Sequence, residues 1–235
     1  MSAELVVCDC RDGIAKLVDE SAQLFCTSPP YAQGLEYELG LDYDGLWNLV
    51  SDVAVASLPK CRPSGFFFVN FGETTKYDRT MAELYNRVFR DAGWIMHSRR
   101  MWKKKFASCS LTGAMTARTI PAAEWEYIWT FRKPPNTKEV HRDKKLSLRG
   151  VWDTSEDEKT GVKGHPAAFP VGIPSRAIRV WTDPGDLVVD PFAGTCTTGV
   201  ACLQLDRNFV GFEMDEKYAV IGKQRLSTAN SPLFV

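Results

Sequence analysis

Residues 187–213 read LVVDPFAGTCTTGVACLQLDRNFVGFE and carry the clearest structural signal in the chain. The branched apolar run from Leu187 to Val189 predicts a strand that ends at Asp190. A turn of small residues leads into an apolar helix, and a second apolar run predicts a strand that ends at Glu213. Strand, helix and strand in this order predict a βαβ unit, which is typical of α/β folds with a largely parallel sheet.

The same alternation extends outward to most of the chain. Strands are predicted over residues 4–8, 23–27, 65–70, 94–102 and 125–131. Helices are predicted over residues 13–20, around 46–53, from 81 to about 93, over 173–181 and after Asp215. The charged stretch from Arg132 to Lys163 has little periodicity, which predicts an irregular segment.

Length and composition exclude several classes of protein. At 235 residues, 44% apolar and 25% charged, the chain matches a globular protein of one large domain or two small ones. No apolar run approaches the ~20 residues of a membrane helix, and the first residues carry neither the basic region nor the apolar stretch of a signal peptide, so we expect no export. Seven cysteines without a CxxC pair disfavour zinc and a disulfide framework, so we expect no metal, no membrane contact and a cytoplasmic location.

A net charge of zero conceals two oppositely charged regions. His97 to Gly150 holds 13 Lys and Arg against 4 Asp and Glu, whereas the remaining residues hold 16 basic and 25 acidic side chains. Segregation of this size predicts a surface for a polyanion, and a solvated lysine-rich loop is the alternative.

The turn after the strand at 187–189 has the features of a nucleotide site. Small residues allow the backbone to approach a ligand, and an acid at the end of the next strand can accept hydrogen bonds from ribose hydroxyls. Glu213 lies 19 residues after Gly194, as such a site requires. The pattern departs from the usual one because Cys196 occupies the second glycine position.

A second motif, Thr27-Ser28-Pro29-Pro30-Tyr31, directly follows the strand predicted at 23–27. Open α/β folds bind ligands at the carboxyl ends of their strands, so this motif is placed for chemistry. The two prolines form a stiff turn that directs the Pro29 carbonyl. A polar acceptor, a fixed carbonyl and an aromatic ring together suit an exocyclic amine on a flat heterocycle.

Together the two motifs resemble those of the S-adenosylmethionine-dependent DNA amino-methyltransferases, which carry (Asp/Asn/Ser)-Pro-Pro-(Tyr/Phe) as their catalytic motif. Asp9, Trp152, the segment 165–170, the turn 190–194 and Glu213 also match the family pattern. The catalytic motif comes first, a variable basic region follows and the cofactor turn comes last. This order resembles the β group, a circularly permuted form of the fold.

The resemblance implies an α/β fold with a circularly permuted Rossmann-like methyltransferase sheet, mostly parallel with one antiparallel strand and flanked by helices. It divides the domain into a catalytic half (1–96), a small basic DNA-recognition region containing two strands (97–163) and a cofactor-binding half (164–235). The cofactor is expected to be S-adenosyl-L-methionine, and the substrate double-stranded DNA. A homodimer and a cognate restriction endonuclease are further expected partners.

The residues implied for each role follow the family motifs. The catalytic set is Ser28, Pro29, Pro30 and Tyr31. The cofactor set is Asp9, Cys10, Thr27, His165, Pro166, Phe169, Asp190, Phe192, Ala193, Gly194, Thr195, Cys196, Thr197, Thr198, Glu213 and Met214. The DNA-contacting set is Arg99, Arg100, Lys103, Lys104, Lys105, Arg118, Arg132, Lys133, His141, Arg142, Lys144 and Lys145.

Several alternatives stay open at the level of sequence. Ser28 before Pro-Pro-Tyr favours cytosine N4 as the methylated amine, with adenine N6 second. Asp9 either caps the first helix or contacts the cofactor. A nucleic-acid-binding module without activity, and a methyltransferase acting on RNA or protein, are the rival functions.

Overall fold

The computed structural model describes residues 1–32, 40–73, 78–104, 125–135, 143–153 and 169–229. Its eight strands are β1 (Ala3–Val7), β2 (Ala22–Thr27), β3 (Cys61–Phe71), β4 (Ile95–Lys103), β5 (Trp125–Arg132), β6 (Val151–Asp153), β7 (Leu187–Asp190) and β8 (Asn208–Glu213). The helices are α1 (Cys10–Ala15), α2 (Tyr43–Lys60), α3 (Met81–Asp91), α4 (Lys144–Ser147), α5 (Gly172–Trp181), α6 (Thr197–Gln204) and α7 (Glu216–Ala229).

All eight of these strands form one sheet in the order β1-β8-β7-β2-β3-β5-β4-β6. Every neighbouring pair is parallel except those made by β5, which is antiparallel to both β3 and β4. The predicted sheet, mostly parallel with one antiparallel strand, is confirmed. Because β2 lies beside β7, strands from the two ends of the chain finish at the same edge, which we call the carboxyl edge.

Helices cover both faces of the central strands, and this explains their continuous apolar sequence. In β2, Leu24 and Cys26 pack into the core on the side of α5 and α6, whereas Phe25 packs on the side of α2 and α3. The run at 66–69 alternates between the same two cores. A strand buried on both faces shows no alternation of apolar and polar residues, because successive side chains point in opposite directions.

The predicted elements are found, but the ends of two helices differ: α1 spans Cys10–Ala15 rather than 13–20, and α2 spans Tyr43–Lys60 rather than 46–53. Thr80 caps α3, with its hydroxyl accepting from the Glu83 N–H at 3.1 Å, and Asp215 accepts from the Lys217 N–H at 2.7 Å at the start of α7. The first helix begins at Cys10, earlier than the predicted residue 13, because Asp9 supplies its N-cap.

The stretch predicted to be irregular contains regular structure. Residues 143–153 hold α4 and β6, and β6 pairs in parallel with the end of β4. The described residues of the region 97–163 therefore contribute to three strands, β4, β5 and β6, rather than to the two expected. A strand of three residues is too short to show periodicity, so no pattern in the amino-acid sequence could indicate it.

Within the described part of the chain, none of the helices combines the length and the apolar character that crossing a bilayer would require.

Candidate functional site

A cavity of about 600 Å³ opens at the carboxyl edge of the sheet. Much of its wall comes from the ends of four strands: residues 8–11 after β1, 28–31 after β2, 191–195 after β7 and 213–214 at the end of β8. The parallel pairing of these strands brings their ends together. The two sequence motifs, which lie near opposite ends of the chain, therefore face one space.

Glu213 ties the small-residue turn to the end of β8. One oxygen of its carboxylate accepts from the Gly194 N–H and the other from the Asp215 N–H, both at 2.8 Å. Gly194 has a φ of +51°, a conformation that costs glycine little because it lacks a Cβ. Burial raises the pKa of Glu213, and the backbone N–H groups partly oppose that rise. The acid thus sits on the cavity wall with both oxygens held in fixed directions.

A second carboxylate supports the turn from below. Thr27 and Thr198 donate to Asp190 at 2.6 and 2.7 Å, and the Phe192 N–H donates to it at 3.1 Å. Burial raises the pKa of Asp190 to about 6 despite these donors. Thr27, Asp190 and Thr198 were predicted to bind cofactor, but they lie behind the cavity wall. Their hydrogen bonds join β2 to β7 and so hold the two motifs together.

Cys196 also lies beneath the turn, whereas the sequence prediction had placed it against the cofactor. It is fully buried and adopts a φ of +61°, in the left-handed region that favours glycine. The backbone conformation explains why a glycine is usual at this position. Arg225 of α7 holds the same turn, because it donates to the Thr195 carbonyl at 2.5 Å and to the Thr197 hydroxyl at 3.1 Å. Sequence reasoning missed Arg225, since it belongs to a helix 30 residues away.

The corner after β2 contains a chain of polar contacts. The hydroxyls of Ser28 and Tyr31 lie 2.9 Å apart, and Tyr31 donates to Glu126 of β5 at 3.2 Å. Glu126 pairs with Lys104 at 2.5 Å. Burial and the neighbouring Glu126 raise the pKa of Tyr31, so it remains a phenol. Glu126 carried no sequence signal, because its partners come from the corner after β2 and from the end of β4.

Asp9 caps the first helix, which is one of the two alternatives that the sequence left open. Its carboxylate accepts from the Arg11 N–H at 2.9 Å as the cap of α1, and it also lines the cavity. The Arg11 guanidinium lowers the pKa of Asp9. Burial raises the pKa of Cys10 to about 12 and raises that of Cys8, so these two cavity cysteines remain thiols. A thiol is a poor nucleophile compared with a thiolate, so neither side chain is activated for attack.

Most of the predicted cofactor residues line the cavity. They are Asp9, Cys10, Phe169, Phe192, Ala193, Gly194, Thr195, Thr197, Glu213 and Met214, together with the catalytic residues 28–31. His165 and Pro166 lie outside the described residues. Sequence reasoning missed the wall formed by the start of α2, including Asp42 and Asn48. Among the described lining residues, three acids face one base, Arg11, which is itself paired with Asp9 and Asp52.

The described members of the predicted DNA-contacting set lie on different parts of the molecule rather than on one surface. Lys103 lies at the carboxyl edge and is largely exposed, and Lys104 lies beside it but is paired with Glu126. Arg99 is exposed in the middle of β4, where its guanidinium lies 5.1 Å from the centre of the Trp129 ring. Lys105, Arg118, His141 and Arg142 lie outside the described residues.

The remaining members of that set correct the prediction. Arg100 is 5% exposed and donates to the carbonyls of Arg149 and Ser147, so it holds the segment before β6 rather than a phosphate. Arg132 ends β5 at the edge opposite the cavity. Lys133 follows it there and donates to the Cys61 carbonyl at 2.7 Å. Lys144 and Lys145 begin α4, which packs on α5, and Lys144 lies near Arg207 at that same far edge. Because β5 is antiparallel, it begins at the cavity edge and ends at the opposite edge, so Arg132 and Lys133 cannot reach the cavity.

A mostly parallel sheet with a ligand cavity at its carboxyl edge, a small-residue turn after one strand and an acid after the next is typical of Rossmann-like nucleotide-binding folds. The chain belongs to the DNA methylase family of N6 and N4 methyltransferases, whose family model matches residues 22–224. The expectation drawn from the two motifs is thus confirmed at the level of the family. The cofactor of this family is S-adenosylmethionine.

Individual proteins support the same assignment. The chain is 25% identical to the type II methyltransferase M.BglI of Bacillus subtilis, over 94% of this chain and 84% of that protein. It is similar to the structure of TTHA0409 from Thermus thermophilus in complex with S-adenosyl-L-methionine, with a TM-score of 0.73 and 26% identity over 99% and 97% of the two chains. The PvuII cytosine-N4-specific DNA methyltransferase shares the fold, with a TM-score of 0.75 and 23% identity over 98% and 96% of the chains.

Proposed function

We propose that this DNA methyltransferase acts on the exocyclic N4 amine of cytosine in a specific sequence of double-stranded DNA. The proposal depends on one observation above all: Ser28 of the Ser-Pro-Pro-Tyr motif and Glu213 line the same cavity. The resemblance in the motif supports the choice of base, because a serine before Pro-Pro-Tyr resembles the cytosine-N4 enzymes more often than the adenine-N6 enzymes, in which aspartate is usual.

The cavity residues fit S-adenosylmethionine in size and in charge. A volume of about 600 Å³ lies within the range of small-molecule sites. The acids Asp9, Asp42 and Glu213 outnumber the single base among the described residues of the wall, and this favours a ligand that carries a sulfonium and an ammonium group. Glu213 would accept from the ribose hydroxyls and the Gly194 turn would lie against the ligand. When bound, the cofactor supplies an electrophilic methyl group.

The residues after β2 would hold the target amine. A base in a duplex cannot present its amine to the cavity, so it must be flipped out at a cost of a few kcal/mol. The Tyr31 ring would stack on the flipped base, and the Ser28 hydroxyl and the Pro29 carbonyl would accept hydrogen bonds from the amine. These contacts direct the nitrogen lone pair toward the methyl group, so positioning and electrostatics supply the catalysis. The amine nitrogen would take the methyl group directly, the methyl–sulfur bond would break, and the nitrogen would lose one proton to water, so no covalent intermediate with the enzyme is needed.

Among the described members of the predicted DNA-contacting set, Lys103 is exposed at the carboxyl edge, where it can reach DNA phosphates. Its side chain is 63% exposed. We propose that it contacts the backbone beside the flipped base together with the basic residues of the segment 97–150 that lie outside the described part. Each phosphate neutralised would steepen the log–log salt dependence of DNA binding by roughly 0.9.

The proposal is tested by methylating duplex DNA with the purified protein and labelled S-adenosylmethionine, then digesting the DNA to nucleosides. We expect N4-methylcytosine, and no product with Ser28→Ala. N6-methyladenine would replace the proposed base with the alternative one. Cofactor binding with no methyl transfer to DNA, RNA or protein would instead favour the inactive binding module.

Expression in a host, followed by sequencing with modification-sensitive reads, would give the methylated base and the recognition sequence together. The predicted homodimer is tested by sedimentation of the purified protein. A cognate restriction endonuclease is tested by whether methylated DNA resists cleavage by a nuclease of the same specificity.

A further inference from the structure

A continuous line of hydrogen bonds leads from the catalytic corner to the antiparallel strand β5. Ser28 lies 2.9 Å from the Tyr31 hydroxyl, which lies 3.2 Å from one oxygen of Glu126. The other Glu126 oxygen lies 2.5 Å from the Lys104 ammonium. Glu126 is 8% exposed and the Lys104 side chain is 15% exposed, so the pair is largely shielded from water.

The charge at Glu126 determines the direction of these hydrogen bonds. The Lys104 ammonium stabilises an ionised carboxylate, and an ionised carboxylate can only accept. The single phenolic proton of Tyr31 is therefore donated to Glu126, whereas the Asn70 carbonyl lies farther from the phenol, at 3.5 Å. With its proton committed, the Tyr31 oxygen accepts from Ser28. The Ser28 proton then points away from the target amine, and the serine lone pairs are left to accept from it.

We propose that Glu126 is a positioning residue that acts through Tyr31 to make Ser28 a hydrogen-bond acceptor toward the amine. The inference rests on the proposed function, because it concerns how Ser28 recognises the substrate. A serine hydroxyl can donate or accept, unlike the aspartate that occupies this place in related motifs. A neighbouring carboxylate removes that ambiguity, with Lys104 holding it in place.

The substitution Glu126→Gln keeps the size of the side chain and reverses the chain of hydrogen bonds. The amide oxygen would turn to the Lys104 ammonium, which leaves the amide N–H facing Tyr31. Tyr31 would then accept from the glutamine and donate to Ser28, so that the serine proton opposes the amine N–H. We expect kcat to fall roughly 10–100-fold, since a hydrogen bond at the reacting group becomes a donor–donor contact. The dissociation constant of S-adenosylmethionine should stay within about twofold, because Glu126 is not among the residues that line the cavity.

A matched control is the neighbouring exposed pair Lys103–Asp153, at 3.7 Å. Asp153→Asn removes a carboxylate from the same edge of the sheet without touching Tyr31. Freeing Lys103 from this pair can change the affinity for DNA, so the comparison is made at saturating DNA, where kcat should match that of the wild type. Equal losses in Glu126→Gln and Asp153→Asn, or full activity in Glu126→Gln, would overturn the proposal.

A double-mutant cycle separates positioning from a general loss of structure. Tyr31→Phe keeps the ring but removes the hydroxyl that links Glu126 to Ser28. In the Tyr31→Phe background, Glu126→Gln should change kcat by less than about twofold. The same loss in both backgrounds would show that Glu126 does not act through Tyr31. Ser28→Ala separates a failure of the proposed function from a failure of this inference. An active Ser28→Ala enzyme contradicts the proposed function itself. An inactive Ser28→Ala enzyme together with a fully active Glu126→Gln enzyme contradicts only the positioning role of Glu126.

Discussion

Glu213→Gln tests the cofactor site most directly, because it removes the charge at the end of β8 and leaves the shape of the side chain unchanged. The wild-type carboxylate accepts from the N–H groups of Gly194 and Asp215, both at 2.8 Å. Glutamine can accept at its oxygen, but its amide nitrogen must face one of these donors. The turn should therefore lose one anchor, and the ribose hydroxyls should lose a charged acceptor.

A hydrogen bond to a charged group contributes about 1.5–3 kcal/mol. Loss of one such bond predicts a dissociation constant for S-adenosylmethionine that is roughly 10–150-fold higher, since each 1.4 kcal/mol is tenfold. The wild type should also bind S-adenosylmethionine more weakly as the pH falls, because Glu213 becomes protonated. Burial raises the pKa of Glu213, so this weakening should begin at a higher pH than it would for an exposed glutamate. The Gln variant should lack that pH dependence.

Isothermal titration calorimetry with S-adenosylmethionine measures both effects, over a pH range that begins near the glutamate reference pKa of about 4.3 and extends to neutrality. Glu4→Gln, an exposed substitution on β1 with the same change in charge, is the control. Thermal unfolding of both variants checks that they remain folded. An unchanged dissociation constant in Glu213→Gln, or an equal loss in Glu4→Gln, would refute the assignment of the ribose acid.

Three further predictions concern the corner, the support below the turn and the packing of the sheet. Tyr31→Ala should cut turnover strongly, because stacking of an aromatic ring on a base is worth about 1–3 kcal/mol. The dissociation constant of S-adenosylmethionine, measured by calorimetry, should stay nearly unchanged. A loss of cofactor affinity as large as the loss of turnover would contradict the stacking role. Asp190 has a pKa of about 6 in the folded protein, against 3.8 for an ordinary aspartate, so ionisation of this carboxyl opposes folding. As the pH rises from about 4 to 6, the wild type should therefore lose up to about 3 kcal/mol of unfolding free energy relative to Asp190→Asn. Denaturant titrations measure this difference, and parallel pH profiles for the two proteins would refute it. Gly13→Ala places a Cβ 2.3 Å from the Phe212 ring and should destabilise the fold by about 1–3 kcal/mol. The control is Gly150→Ala, whose added Cβ has nothing within 4 Å and should leave the stability unchanged. Equal melting temperatures for the two variants would contradict this prediction.

The strand order explains which parts of the site could be predicted. Residues 23–27 and 187–190 each end in a motif that is local in sequence, and parallel strands always present such motifs at one edge. For this reason the cavity contains both motifs, although nothing in either segment indicates that β2 and β7 are neighbours. Only the parallel pairing of the two strands, with Phe25 opposite Val189, shows that β2 and β7 are neighbours.

The basic region shows the opposite case. Its charge predicted a surface for a polyanion, but β5 is antiparallel and carries Arg132 and Lys133 to the edge opposite the cavity. Arg100 lies against Trp152 and Trp181, at 5.6 and 5.7 Å from their ring centres, and so is part of the core. Composition reports how many charges a segment holds, but not which side of a strand each one occupies.

The amino-acid sequence by itself determined the alternation of strands and helices, the small-residue turn with Glu213 and the Ser-Pro-Pro-Tyr corner, because each of these depends on residues close together in the chain. Only the tertiary structure showed that Asp190 and Arg225 hold the small-residue turn. It also showed that Tyr31 donates to Glu126, which is paired with Lys104. These contacts join residues up to 163 positions apart, and they form only after the sheet has brought distant strands into register.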